Sequence, residues 1–134
     1  MGVDMRTRED IESYLMRSGL SYDAIDGKDM WLVREPATTE KIIVSLTGPV
    51  VIFRAKVLGL DRISQRAELF EALLRINASD MLQGAYGIAD DAVVLIAALR
   101  LENLDYNEFQ GVIDDFSLAF TNHYEQLAGF RDVA

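Results

Sequence analysis

The chain has 134 residues, 13 basic against 22 acidic, for a net charge of −9 at pH 7. Repulsion from phosphate argues against nucleic acid as its main partner, and the same field disfavours anionic membrane surfaces. It has no cysteine, which excludes disulfides, thiolate chemistry and cysteine-ligated zinc. Half of the residues are hydrophobic. A chain of this length can then bury roughly two thirds of its unfolded surface, so a folded core is expected and disorder is not. Residues 1–134 read as one domain, with no linker, repeat or low-complexity segment. Met1 to Arg6 carries no apolar leader core, and no apolar run reaches the ~20 residues of a bilayer span. The expected location is the cytoplasm, with no membrane partner.

In chain order, the spacing predicts a first helix from Thr7 to Ser18, capped by Thr7 and closed by Gly19. Tyr22 to Ile25 reads as a short edge strand, Asp26 to Asp29 as a turn and Met30 to Arg34 as a second strand. A loop, Glu35 to Thr39, follows. Lys41 to Leu46 and Val50 to Leu58 are strands joined by Thr47-Gly48-Pro49, where proline marks the turn because it cannot donate to a ladder. Val51, Phe53, Ala55 and Val57 fall on one face of the fourth strand; Val50, Ile52, Arg54, Lys56 and Leu58 fall on the other.

A middle helix is expected from about Ser64 to Ile76, with Ala67, Leu69, Phe70, Leu73, Leu74 and Ile76 as its apolar set and Asn77 as its end. After a connector, Tyr86 to Ala89 and Val93 to Leu101 form a hairpin about Asp90-Asp91. A long helix then begins at Asp105, with Glu108 completing a capping box and Leu104 and Phe109 a hydrophobic staple. Phe109, Val112, Ile113, Phe116, Phe120, His123, Tyr124 and Leu127 recur along it at helical spacing. The order α-β-β-β-β-α-β-β-α, with strands that come as hairpins, gives an α+β class: an antiparallel sheet with helices against one face.

Catalytic and metal-binding patterns are weak. His123 is the only histidine. It lies among apolar residues, with no orienting carboxylate or nucleophile near it in sequence, which favours a structural role. Asp90-Asp91 and Asp114-Asp115 are adjacent pairs, whose side chains diverge rather than converge on one proton or metal. The first reads as a turn and the second as the wet face of the last helix. Asp23, Asp26 and Asp29 are spaced by three, unlike the alternate ligands of a calcium loop. No catalytic, cofactor-binding or metal-binding residue is assigned.

Two surface features remain. The second face of the sheet should carry Ile43, Val50, Ile52, Val94 and Ile96, interleaved with Ser45, Arg54, Lys56 and Arg100. That is too apolar for a face left in water and too charged for a sealed core. A helix of the same chain, a second subunit or a client could cover it. The other feature is charge segregation: from Leu101 to Phe130 there are six acidic residues and no basic one. This reads as a solvated acidic helix face.

At Leu73-Leu74-Arg75-Ile76-Asn77, then through Tyr86-Gly87-Ile88-Ala89-Asp90-Asp91, the apolar strand with Arg100-Leu101 and Tyr124-Glu125-Gln126-Leu127, the chain resembles the YbjN-type bacterial proteins. Their fold is shared with type III secretion chaperones. The resemblance covers roughly residues 40 to 130; the last helix lacks the Ala-Glu-Trp-like ending associated with secretion chaperones. It implies a small acidic dimer that binds other proteins, as a chaperone or a regulator, without catalytic residues. The interaction candidates are Ile43, Ile52, Arg54, Lys56, Val94, Ile96 and Arg100 on the sheet, and Leu69 and Phe70 on the middle helix. A homodimer closed through the sheet or that helix is expected, because the apolar excess exceeds what one chain can cover. The alternative is a small-molecule-binding or enzymatic domain with a pocket between sheet and helices, which would need His123 exposed in a cleft beside a carboxylate.

Overall fold

The computed structural model describes residues 5–131. Residues 1–4, most of the stretch read for a leader, lie outside the described residues, as do 132–134. Helix α1 (Arg8–Ser18) leads into strands β1 (Ser21–Ala24), β2 (Met30–Arg34), β3 (Lys41–Thr47) and β4 (Val50–Gly59). A single 3-10 turn, Leu60–Arg62, precedes α2 (Arg66–Ser79). Then come β5 (Ala85–Ala89), β6 (Ala92–Arg100), α3 (Tyr106–Asn122) and α4 (Tyr124–Ala128). The six strands make one antiparallel sheet in the order β1-β2-β3-β4-β6-β5. The α+β class and the expected order hold, with the last helix divided in two.

Local chemistry explains the element ends. The Asp10 carboxylate accepts from the Thr7 N–H at 2.8 Å, and Gly19 closes α1 with φ 72°. The Asp105–Glu108 capping box is closed by Glu108 N–H donating to Asp105 at 2.8 Å and Asp105 N–H to Glu108 at 3.2 Å. Leu104 and Phe109, the staple, are both buried. The β5–β6 turn has Asp90 at φ 50° and Asp91 at φ 60°, both left-handed. Left-handed φ at both positions is the requirement of the tight turn whose twist matches the strands.

The core lies between one face of the sheet and the helices. Trp31, Val33, Ile42, Val44, Val51, Phe53, Val93 and Leu95 point inward and are buried. Phe53 meets Phe109 with ring centroids 5.2 Å apart, and Phe116 at 6.4 Å. Ile11 and Leu15 of α1, and Leu69, Leu73 and Ile76 of α2, belong to the same buried cluster. No outward-facing residue of β2, β3 or β4 does, nor Val94 or Ile96 of β6.

Four expectations need correction. A bulge between Lys56 and Leu58 shifts the β4–β6 register, so Leu58 turns into the core and Val57 is only partly buried. Strict alternation had placed Leu58 on the outer face; the extra residue of the bulge brings it to the core side beside Val57, which packs against the core as expected. Asn77 does not end α2, which runs to Ser79. Its amide accepts from the Tyr86 N–H at 2.7 Å and donates to the Tyr86 carbonyl at 3.1 Å, acting as a side-chain strand partner for β5. Asp115 is buried, not wet: its carboxylate accepts from the N–H groups of Gln83 and Gly84, both at 3.0 Å. The last helix breaks at His123, whose side chain is tied away from the helix.

Candidate functional site

The outer face of the sheet is built from the alternate residues that the core does not use. Ile43 stands opposite Arg54, Ser45 opposite Ile52, Arg54 opposite Ile96 and Lys56 opposite Val94. Ile43, Ile52 and Ile96 are half-buried by their neighbours on the sheet alone, and Val94 is buried. Arg54, Lys56 and Arg100 are exposed. A shallow groove of about 600 Å³ runs over this face, with Leu32, Ile43 and Val94 among the apolar residues and Lys41, Arg54 and Lys56 among the cations that line it. All its lining residues come from strands and the turns between them, and Glu40 and Asp90 lie at its margin. No helix of the described residues lines it.

The seven candidates on the sheet therefore share one face, as alternation implied. Leu69 does not join them: it is fully buried on the core side of α2, so it offers no surface. Phe70 is partly buried against the core. The exposed apolar residue of α2 is Leu74, at 68% exposure. Leu82 in the following loop and Ile88 on the edge strand β5 are exposed as well, at 87% and 54%. Among the members of the outer face that escaped the sequence reading are Leu32, Arg34 and Lys41. The alternation of β4 carried across to β3 and β2 would have found them, because antiparallel register keeps like faces together.

On the helix side, a cleft of about 360 Å³ lies between the end of β4, Tyr86 and the α3–α4 junction. His123 lines it but is buried. Its Nε2 lies 3.3 Å from an Asp80 carboxylate oxygen and its Nδ1 lies 2.8 Å from the Tyr86 hydroxyl. A carboxylate only accepts, so in the neutral ring Nε2 carries the proton and the Tyr86 hydroxyl donates to Nδ1. Burial, aided by the Asp115 carboxylate, pushes the Tyr86 phenol well above its ordinary value, which keeps the proton on the hydroxyl that faces Nδ1. Both ring nitrogens of His123 are thus engaged in joining α2, β5 and α3. The carboxylate and hydroxyl missing near His123 in sequence come from residues 43 and 37 positions away.

Chains of known structure share this fold. YbjN from E. coli superposes with a TM-score of 0.68 at 16% identity, covering 93% of this chain and 96% of its own. The heterodimeric ExoU–SpcU complex of the Pseudomonas aeruginosa type III secretion system gives a TM-score of 0.65 at 16% identity, covering 90% and 97%. The Yersinia pestis type III secretion chaperone SycH, solved with a stable fragment of YscM2, gives 0.56 at 14%, covering 92% and 99%. No curated protein sequence matches. The resemblance to YbjN-type and secretion-chaperone folds is thereby borne out at the level of the fold. The family model CesT_Tir_1 matches residues 4–132, nearly the whole chain, which belongs to that family.

Proposed function

We propose that this chain is a non-enzymatic, chaperone-like protein-binding module of a single domain, acting in the cytoplasm as a homodimer. The observation that carries the binding role is the outer sheet face: an apolar floor with a cationic rim, over which no described helix lies. Isolated exposed apolar residues are ordinary, but a contiguous set on one flat face is the mark of a partner site. The family supports the same reading, since SycH and the ExoU–SpcU pair were each solved as a complex with another protein. A photo-crosslinking residue placed at Ala98, exposed on this face, should capture a protein in the native host. The same residue at Thr121, beside the His123 cleft, should not. Capture at Thr121 alone would favour the cleft and end this reading.

We assign the dimer to α2 and the β5 edge: Leu74 of α2, Leu82 of the following loop and Ile88 of β5 are each exposed, and β5 is an edge strand of the sheet. A twofold interface uses one patch twice, so a modest patch suffices. At micromolar concentration, sedimentation should give twice the 15.0 kDa chain mass, and Leu74→Asp should return it to one chain. A wild-type protein that sediments as one chain would rule the dimer out.

A further inference from the structure

Charge is distributed over the sheet in a way that the composition conceals. Strands β2 to β6 contain five basic residues, Arg34, Lys41, Arg54, Lys56 and Arg100, and not one of the chain's 22 acidic residues. All five lie at outward positions: Arg54 stands between Ile43 and Ile96, Lys56 opposite Val94, Arg100 opposite Val50, and Arg34 opposite Lys41. Arg34 is paired with Asp23 at 3.0 Å. Among the described residues, Lys41, Arg54, Lys56 and Arg100 make no hydrogen bond or ion pair. Lys41, Arg54 and Lys56 line the same groove, where Glu40 and Asp90 offset part of their charge. In a chain of net charge −9, four cations without an ion pair among the described residues thus gather on this one face.

We infer that the outer sheet face recognises an acidic–apolar segment of its protein partner. Apolar side chains of the segment lie on Ile43, Ile52, Val94 and Ile96, and its carboxylates pair with Lys41, Arg54 and Lys56. The inference rests on the reading of this face as a protein-binding surface and adds the chemistry of what binds. Two consequences follow from the geometry. The apolar floor supplies affinity, because it removes half-buried isoleucines from water. The cationic rim supplies selection, because complementary charge steers encounter and like charge rejects the wrong partner. Phosphate chains would meet the same cations, but without using the apolar floor and against the field of the whole chain.

The test uses the full chain and three fluorescein-labelled twelve-residue peptides that alternate leucine with glutamate, glutamine or lysine. The glutamate peptide should bind about tenfold more tightly than the glutamine peptide, and the lysine peptide weakest. Raising salt from 50 to about 500 mM should erase most of that difference. The double variant R54E/K56E should reverse the order of the glutamate and lysine peptides. Both residues are exposed, and an unchanged circular-dichroism melt establishes that the variant is folded. Equal binding of all three peptides, lost in Ile96→Asp, would overturn the acidic preference and leave the protein-binding reading standing. Absence of binding by any peptide, with Ile96→Asp also without effect on crosslinking at Ala98, would overturn both. A single-stranded oligonucleotide that outcompetes the glutamate peptide would overturn the inference in favour of phosphate, and a fall to single chains in R54E/K56E would overturn it in favour of a second copy.

Discussion

On the helix side of the sheet, two carboxylates are buried and each is fully provided for. Glu35 accepts from the Ala37 and Thr38 N–H groups at 2.7 and 2.9 Å and from the Thr38 hydroxyl at 2.8 Å, and Asp115 holds two loop N–H groups. On the outer side, Lys41, Arg54, Lys56 and Arg100 are exposed and form no ion pair among the described residues, although Glu40 and Asp90 lie at the margin of their groove. The same sheet thus places its ionised groups under opposite rules. A buried charge must be hydrogen-bonded or it destabilises the fold, whereas an exposed charge is stable without a partner. The unpaired set is therefore free to serve something outside the chain, and the paired set is committed to the fold.

The sharpest way to break this comparison uses neighbours in sequence. Ile42 is fully buried and Ile43 lies on the outer face. Ile42→Asp should abolish cooperative folding, since it buries an unpaired charge, while Ile43→Asp should change stability by about 1 kcal/mol or less. Urea unfolding followed by circular dichroism reads both; equal losses would mean that the outer face is packed like the core. The next effect is smaller. Glu35→Gln should cost about 2 kcal/mol at pH 7, because hydrogen bonds to an ionised acceptor are replaced by neutral ones.

That second variant also carries a pH signature. Burial alone would raise the Glu35 carboxyl, but hydrogen bonds from Ala37, Thr38 and Ser117 outweigh it and hold the group below its ordinary value. A depressed carboxyl stabilises the fold fully above its unfolded value, near 4.3, and the contribution is lost as pH falls through the lower folded value. The gap between wild type and Glu35→Gln should stay constant from pH 7 to about 5 and shrink in acid below that. A gap that persists through strong acid would mean that the charge is not what stabilises the loop. Asp115→Ala should cost about 1–3 kcal/mol by orphaning the Gln83 and Gly84 N–H groups, with faster amide exchange at those two residues as its local mark. The smallest effect falls on neither face. Replacing Asp91, at φ 60° and outside the groove lining, with Gly, which accepts left-handed φ more readily, should raise stability by about 1 kcal/mol and leave peptide binding unchanged.

Periodicity and caps made most of this architecture legible in the sequence. Gly19, Asp105 and Asp90-Asp91 announced their turns because each supplies a backbone conformation or an acceptor that the local chain requires. The outer face was legible for the same reason: alternation is a local property. What escaped depends on contacts between distant parts of the chain. The Lys56–Leu58 bulge inserts a residue that alternation cannot register. Asp115 looked wet because its partners, Gln83 and Gly84, lie about thirty residues upstream. His123 looked isolated because Tyr86 and Asp80 come from other elements. The choice of Leu69 over Leu74 as a surface residue of α2 failed because a helix with many apolar positions does not say which of them faces the sheet.

Trp31 has a use that its packing creates. It is the only tryptophan, it is fully buried, and its ring lies under the Arg8 guanidinium at 4.8 Å. Its indole N–H has no hydrogen-bond partner among the described residues. The chain therefore carries a single optical and magnetic reporter at the seam between the first turn of α1 and the sheet. Its emission should be blue-shifted in the folded state, and its indole proton should give one resolved resonance that exchanges with solvent only when α1 lifts. Undocking of that helix can thus be timed in the unlabelled protein, apart from anything that happens on the far side of the sheet.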